Sequence, residues 1–245
     1  MQKNDKKTVL ITGGTNGIGK SIAKNFYNNG FIVFVTGTNT KIIDKINNEE
    51  NPRYRAIKSD FNQESFHLDL KNHLKEVEKI DILINNAGIN KIDNFTQTKT
   101  EDFNKLINVN LKASYEISKI VVEKMINNNF GRIINISSIF GKLSKPKRSL
   151  YSMTKFGIHG LTVSLAAELS SKNILTNTVS PGFINTDLTR KILSEKEIKS
   201  LSKQVPIGRF GNPDEVAELV FFLSSEKNTY ISGQNIFIDG GFSIV

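Results

Sequence analysis

Short apolar runs rich in β-branched residues alternate with segments of helical length along the whole chain. The predicted strands are Thr8–Thr12, Phe31–Thr36, Tyr54–Ser59, Ile80–Ile84, Arg132–Ile136, Leu175–Val179 and Asn235–Ile238. The segments of helical periodicity between them include Ile18–Asn28, Phe103–Asn127 and Ser152–Leu169. This alternation predicts βαβ units, and therefore an α/β fold in which helices cover both faces of a parallel sheet. No stretch rich in Pro, Ser or Gly divides the chain, so we expect one domain over residues 1–245.

The composition excludes several classes of protein. The chain has 245 residues, of which 38% are hydrophobic, and this is ample for a hydrophobic core. The absence of Cys excludes disulfides, thiol nucleophiles and Cys-based zinc or iron–sulfur sites. No apolar run approaches the roughly 18 residues that a membrane span needs, and the polar start MQKNDKK is unlike a signal peptide. We therefore expect a cytoplasmic protein with no membrane contact.

The formal net charge of +9 comes from 33 Lys and Arg residues against 24 Asp and Glu residues. A Lys-rich solvated surface explains this excess without a nucleic-acid partner, since the chain has no long basic run, zinc-finger spacing or aromatic RNA-binding pattern. The three histidines, His67, His73 and His159, lack the spacing of metal ligands, and we predict no metal site.

A glycine-rich turn joins the first predicted strand to the first predicted helix, with the sequence TGGTNGIG over residues 12–19. The free N–H groups and the positive dipole end of a new helix attract a pyrophosphate, and glycines allow close approach of the ligand. A plain turn would use similar residues, but the position in a βαβ series favours a dinucleotide. The predicted contacts are Gly13, Thr15, Asn16, Gly17, Ile18 and Gly19.

The end of the second strand carries no acidic residue. In dinucleotide folds, an acid near this point binds the ribose 2′-hydroxyl of NAD. Here Gly37 is followed by Thr38 and Asn39, which would not repel a 2′-phosphate. The sequence therefore favours NADP, with Thr38 as a contact, while NAD stays open because no Arg occupies position 16 or 38. Lys41 is a candidate for the missing cation.

Further motifs follow in a fixed order: Asn85-Asn86-Ala87-Gly88, Asn110, Ser138, Tyr151 with Lys155, Pro181-Gly182 and Asp239-Gly240-Gly241. This series resembles the short-chain dehydrogenase/reductase family over essentially the whole chain. The last third is most similar to the 3-oxoacyl-[acyl-carrier-protein] reductases of that family. The resemblance implies a Rossmann-type, doubly wound sheet of seven parallel strands in a three-layer αβα arrangement, and a homotetramer. It also implies a cofactor half at about 1–130 and a catalytic half at about 131–245.

The resemblance also assigns roles to individual residues. It implies a catalytic tetrad of Asn110, Ser138, Tyr151 and Lys155. The implied cofactor contacts beyond the glycine-rich turn are Asp60, Phe61, Asn86, Ala87, Gly88, Pro181, Gly182, Ile184 and Thr186, together with Tyr151 and Lys155. Asp60 and Phe61 would lie beside the adenine, and the segment from Pro181 to Thr186 would lie over the nicotinamide.

Tyr151 and Lys155 are four residues apart and would share one helix face. We expect the Lys155 ammonium and the positive nicotinamide to lower the pKa of Tyr151. In the reducing direction Tyr151 would donate a proton to the carbonyl oxygen, and Ser138 would polarise the same oxygen. Lys155 would also bind the nicotinamide ribose, and Asn110 would hold a water that resupplies the proton.

The segment between Ser138 and Tyr151 must border the substrate, and it carries four basic residues: Lys142, Lys145, Lys147 and Arg148. They could recruit an anionic substrate or an acidic partner, or they could form a solvated loop. Arg132 and Lys172 resemble the family's docking cations for an acidic acyl carrier protein. Residues Asp187–Val205 are expected to form a helical lid over the cleft.

Three functions follow as hypotheses. The first is an NADPH-dependent carbonyl reductase of fatty acid biosynthesis, which reduces 3-oxoacyl groups on acyl carrier protein to 3-hydroxyacyl groups. The second is an oxidoreductase of the same family that acts on a sugar or another small alcohol or ketone, including anionic ones. The third is an NADP-binding regulatory or scaffold protein without turnover.

Overall fold

The computed structural model describes residues 6–245, apart from the side chains at positions 188 and 192. Most of the start MQKNDKK, from which we predicted the absence of a signal peptide, lies outside these residues. Seven strands form one sheet: β1 (Thr8–Ile11), β2 (Ile32–Gly37), β3 (Tyr54–Lys58), β4 (Ile82–Asn85), β5 (Gly131–Ile136), β6 (Ile174–Pro181) and β7 (Asn235–Ile238). The predicted strands are thus confirmed to within a few residues at each end.

The strand order is β3-β2-β1-β4-β5-β6-β7, and every neighbouring pair is parallel. The order reverses between β1 and β4, so the chain winds outward in both directions from this point. Ligands of open α/β sheets bind in the crevice at the carboxyl ends of the strands beside such a reversal. The predicted doubly wound, seven-stranded fold is confirmed, and the place of its ligand crevice follows from the topology.

The helices are α1 (Gly17–Asn28), α2 (Thr40–Asn48), α3 (Phe66–His73), α4 (Thr100–Ile107), α5 (Ala113–Asn127), α6 (Ser149–Leu169), α7 (Asp187–Ile192), α8 (Glu195–Ser202) and α9 (Pro213–Ser224). Helices α1, α2 and α9 pack on one face of the sheet. Helices α3, α5 and α6 pack on the other face, and this gives the expected three layers. No helix within residues 6–245 is long and apolar enough to cross a membrane.

A π-helical turn at Asn108–Lys112 separates α4 from α5. The sequence pattern predicted one uninterrupted helix over Phe103–Asn127, so the turn is a correction to that expectation. Such turns widen a helix locally and are frequent at functional sites. This one carries Asn110, whose side chain is only 1% exposed. Leu111 of the same turn packs against Gly157 of α6, where a Cβ atom would lie 3.1 Å from Leu111 Cδ2.

Buried polar side chains join the middle strands to α6. Asn85 Nδ2 donates to Asn135 Oδ1 at 2.8 Å, and Asn135 Nδ2 donates to Thr162 Oγ1 at 2.9 Å. Thr178 Oγ1 donates to the same Thr162 oxygen at 2.7 Å. Because buried polar groups need partners, these bonds fix β4, β5 and β6 relative to α6. The catalytic candidates project from the ends of these elements.

Candidate active site

The glycine-rich turn leaves the first N–H groups of α1 free. Gly13 and Gly17 have φ angles of +63° and +53°, which favour glycine. A Cβ atom on Gly19 would lie 2.4 Å from the carbonyl oxygen of Gly13. Asn16 precedes the helix, and its side chain makes no capping hydrogen bond. These free donors at a helix N-terminus fit a pyrophosphate group.

Thr12 ties this turn to the segment that follows β4. Its hydroxyl oxygen accepts hydrogen bonds from the backbone N–H groups of Asn86 and Ala87, at 2.9 and 3.0 Å. Asn86 Nδ2 donates in return to the carbonyl oxygens of Thr12 and Gly13, at 2.9 and 3.2 Å. We predicted Thr12 as the last residue of the first predicted strand and the first of the glycine-rich turn, but not as a hydrogen-bond partner of the segment after β4. Its position directly before the glycines was the available signal.

The end of β2 carries no acidic side chain. A Cβ atom on Gly37 would lie 2.6 Å from Thr15 Cγ2, so the turn covers this position. Thr38 is exposed. Lys58 is the register partner of Gly37 on β3, and its exposed side chain starts on the same face of the sheet as the turn. Lys58 is a cation at this edge that the sequence analysis did not identify.

Two predicted cofactor contacts have side chains that point into the core. Phe61 is 5% exposed, and its ring packs on Phe66 at 5.2 Å between centroids. Ile184 is 7% exposed and packs against Gly211. Both residues therefore reach a ligand only through their backbone. Asp60 is exposed, and its carboxylate accepts a hydrogen bond from the Asn62 N–H at 3.0 Å.

The remaining predicted contacts line one crevice at the carboxyl edge. A Cβ atom on Gly88 would lie 3.5 Å from Lys155 Nζ and 3.6 Å from Asn110 Oδ1. Thr186 Cγ2 lies 3.9 Å from the position of a Cβ on Gly17. Pro181 ends β6, and Gly182 N donates to the Ile238 carbonyl oxygen at 3.0 Å. The crevice thus runs from the glycine-rich turn to the catalytic candidates. The segment Asp187–Val205 contains two helices, α7 and α8, as expected, and its role as a lid over the crevice stays a prediction.

Ser138, Tyr151 and Lys155 lie together at the end of β5 and the start of α6. The Ser138 side chain lies near enough to the Tyr151 hydroxyl to lower the pKa of that phenol. Ser138 Oγ also accepts from the Phe140 N–H at 3.2 Å, which orients the serine. Lys155 Nζ lies 5.6 Å from the Tyr151 ring centroid and donates to the Ile136 carbonyl oxygen at 2.9 Å. A carbonyl oxygen beside these two hydroxyls would receive two donors.

Asn110 connects the same groups to the loop after β4. Its Oδ1 accepts from the Ile89 N–H at 2.8 Å, and its Nδ2 donates to the Ile89 carbonyl oxygen at 2.9 Å and to Thr154 Oγ1 at 3.0 Å. Both amide hydrogens are therefore used within the protein. The side chain acts first as a brace between the loop and α6, a role that the sequence did not show. Thr154 is a further partner that the sequence did not reveal.

Burial sets the protonation of the two central groups. It raises the pKa of Tyr151, and the Ser138 side chain and the positive charge of Arg148 act in the opposite direction. It lowers the pKa of Lys155 to about 8. Arg148 is thus a cation that lowers the Tyr151 pKa and that the sequence did not reveal. Lys155 Nζ lies 5.6 Å from the Tyr151 ring centroid, and its expected effect on the Tyr151 pKa stays a prediction.

The structure also contradicts the predicted role of Arg132 as a docking cation. Its side chain is 3% exposed, and the guanidinium donates to the carbonyl oxygens of Gly131 at 2.8 Å and of Asn173 and Asn228 at 3.0 Å each. A guanidinium used in this way cannot serve as a docking cation on the surface. Lys172, the other predicted docking residue, is exposed.

Comparisons with known proteins agree with this geometry. A family model described as enoyl-(acyl carrier protein) reductase matches residues 13–243. The 3-oxoacyl-[acyl-carrier-protein] reductase FabG of Rickettsia conorii is 38% identical over 98% of both chains. The structure titled ElxO with NADP bound has a TM-score of 0.89 and 36% identity, covering 97% of this chain and 98% of that one. A gluconate 5-dehydrogenase from Burkholderia cenocepacia J2315, in complex with NADP and tartrate, has a TM-score of 0.90 and 28% identity, covering 98% of this chain and 96% of that one.

Proposed function

Because the chain belongs to the short-chain dehydrogenase/reductase family, whose members are NAD(P)-dependent oxidoreductases, we propose that it is a cytoplasmic, NADPH-dependent carbonyl reductase. The substrate we propose is a 3-oxoacyl group on acyl carrier protein, which is reduced to the 3-hydroxyacyl group. The observation that carries this proposal is the placement of the Ser138 and Tyr151 side chains next to each other, with Lys155 Nζ 5.6 Å from the Tyr151 ring centroid. The FabG relatives support the choice of substrate.

The hydroxyl pair acts on the carbonyl oxygen. Ser138 donates a hydrogen bond to that oxygen, and Tyr151 transfers its proton as negative charge develops there. The raised pKa of Tyr151 keeps the phenol protonated at neutral pH, which is the form that a proton donor needs. NADPH supplies the hydride when it is bound. The nearby Lys155 ammonium then stabilises the phenolate that remains on Tyr151.

The crevice residues fit the dinucleotide. The free N–H groups at the start of α1 would hold the pyrophosphate, with Gly13, Gly17 and Gly19 allowing its approach. Lys155 would bind the nicotinamide ribose hydroxyls. The end of β2 carries no carboxylate, and Lys58 offers a positive charge for a 2′-phosphate. The NADP bound in two similar structures supports the same preference.

A second candidate function is the oxidation or reduction of a small anionic sugar or hydroxy acid. Two observations favour it: the likeness to a gluconate 5-dehydrogenase with tartrate, and the cations beside Tyr151. The third hypothesis, a scaffold without turnover, is disfavoured because the candidate tetrad is complete and assembled.

One assay separates these functions. NADPH oxidation is followed with acetoacetyl thioesters of acyl carrier protein and with a panel of keto-sugars and keto acids. We expect turnover with the thioesters, and a higher rate with NADPH than with NADH. Turnover of the small ketones alone would move the assignment to the second function. Tight NADPH binding without reduction of any carbonyl compound would favour the third hypothesis, a scaffold protein without turnover.

The proposed homotetramer is supported by an exposed apolar stripe on α6. Met153, Phe156 and Val163 are 44%, 49% and 44% exposed, and their spacing places them on one helix face. Gly160 lies on the same face, and a Cβ there would meet no atom within 4 Å. A stripe of this kind with small and large apolar residues fits a second copy of the same helix.

A further inference from the structure

We propose that Arg148 and Lys145 form an anion-binding subsite beside Tyr151, and that the carbonyl substrate carries a carboxylate within a few bonds of its reacting carbonyl. The inference rests on the proposed carbonyl reductase chemistry and specifies the substrate class of the second candidate function, not that of the acyl thioester. Of the four basic residues in the loop before α6, it assigns to the subsite the two that lie over the Phe140 ring.

Phe140 holds both cations next to the reacting group. The Arg148 guanidinium carbon lies 5.3 Å from the Phe140 ring centroid, and Lys145 Nζ lies 5.6 Å from the same centroid. The Phe140 ring is 7% exposed and meets the Tyr151 ring at 6.3 Å, edge to face. The two cations are therefore anchored on a buried ring that also contacts the proposed proton donor.

The two cations have no acidic partner among residues 6–245. Arg148 Nε is buried without a hydrogen bond, and neither side chain forms an ion pair within the part of the chain that the structure describes. Burial lowers the pKa of both groups, and the charge of Arg148 lowers that of Lys145 further. Two like charges held together and partly desolvated are unfavourable, and a bound anion would relieve both effects.

The backbone adds positive potential at the same place. Arg148 directly precedes α6, a helix of 21 residues whose first turn contains no acidic residue. The positive end of its dipole therefore lies next to the guanidinium. An anion at this point would meet two side-chain charges and the end of a long helix.

The subsite lies close to the reacting oxygen, and this selects the kind of anion. Arg148 acts electrostatically on the Tyr151 hydroxyl. A carboxylate on a small keto acid would reach it, whereas the phosphate of a pantetheine arm lies many bonds from the thioester carbonyl. Lys142 instead lies over the Phe237 ring at 5.1 Å, so it does not belong to the subsite. Lys145 and Lys147 are both exposed, and of these two only Lys145 lies over the Phe140 ring within the described residues.

The test compares ketones that differ only in charge, using the NADPH-loaded enzyme. Pyruvate, acetoacetate and levulinate are each paired with the corresponding neutral amide. We expect at least one acid to have a kcat/KM about tenfold to a hundredfold above its amide, the range expected for hydrogen bonds to a charged group. Arg148→Gln should remove this preference, and Arg148→Lys should restore part of it. Lys147→Gln, which removes the same charge one residue away, should leave the preference unchanged.

Each other outcome overturns the inference in a recognisable way. Equal kcat/KM values for acids and amides would refute the subsite. An equal loss of kcat/KM for both in an Arg148→Gln variant that still binds NADPH would refute it as well. Neither result would contradict the proposed carbonyl reductase function. Arg148→Gln could instead lower kcat/KM only for acetoacetyl coenzyme A, and not for the neutral acetoacetyl N-acetylcysteamine thioester or for the small acids. That result would show that the cations bind the carrier arm, and it would refute the proposed carboxylate on the substrate. Failure of the wild-type enzyme with every ketone and thioester refutes the proposed function itself.

Discussion

At the scale of single residues, burial acts on Tyr151 and Lys155 in opposite directions. It raises the pKa of the phenol and lowers that of the ammonium to about 8. Lys155 is thus the first of the two groups to change its charge as the pH rises above neutrality. The pair at pH 7 consists of a protonated tyrosine and a protonated lysine, which is the combination that reduction requires.

This order of titration predicts the pH dependence of reduction. Because the folded-state pKa of Lys155 is about 8, the fraction of charged lysine falls as pH rises through this value. We expect log kcat/KM for carbonyl reduction to decline above about pH 8. Ser138→Ala should lower the whole profile without moving the decline, since it leaves Lys155 in place. A profile that stays flat up to the pKa of an ordinary lysine would contradict the assignment.

At the scale of elements, the sequence located strands and helices well but not their internal contacts. The alternation of apolar runs sufficed for all seven strands, although only β1, β4, β5 and β6 are buried along their whole length. The π-helical turn at Asn108–Lys112 was not predictable, since its hydrogen bonds depend on how Asn110 braces Ile89 and Thr154. Arg132 was misassigned because a basic residue at a strand start does not reveal whether it faces solvent or three backbone carbonyl oxygens.

Arg132 is expected to stabilise the fold instead of docking a partner. Arg132→Gln would leave buried carbonyl oxygens without their donors, and should lower the free energy of unfolding by about 3 kcal/mol. Urea unfolding measures this loss. The exposed Lys172→Gln should change it by less than about 0.5 kcal/mol. An Arg132→Gln variant of wild-type stability with a raised KM for an acyl-carrier substrate would restore the docking role.

At the scale of the whole molecule, the winding of the sheet brings distant motifs to one edge. Thr12, Asn86, Ser138 and Thr186 follow different strands or lie at their ends, yet the order reversal between β1 and β4 places them along one crevice. The sequence predicted that these motifs lie close together, because the carboxyl ends of parallel strands meet at one edge of the sheet. It did not predict that the charged ends of Lys145 and Arg148 lie over the Phe140 ring, since this depends on the position of that ring.

The apolar stripe of α6 predicts how the molecules assemble. Phe156→Glu would place a charge in the proposed contact between copies, and we expect it to shift the mass measured by light scattering from tetramer to smaller species. Leu68→Glu on α3 is the matched control, because Leu68 is 55% exposed on another part of the surface. A Phe156→Glu variant with the wild-type mass would show that the stripe lies outside the contact.

The central claim is that the Tyr151 hydroxyl gives its proton to a carbonyl oxygen that Ser138 also binds. Single-turnover reduction by the NADPH-loaded Tyr151→Phe variant tests it most directly, because phenylalanine keeps the ring and removes only the hydroxyl. The account predicts that the reduction rate falls by about a hundredfold to ten-thousandfold, while the Kd for NADPH stays near the wild-type value. Reduction at the wild-type rate by this variant would contradict the account.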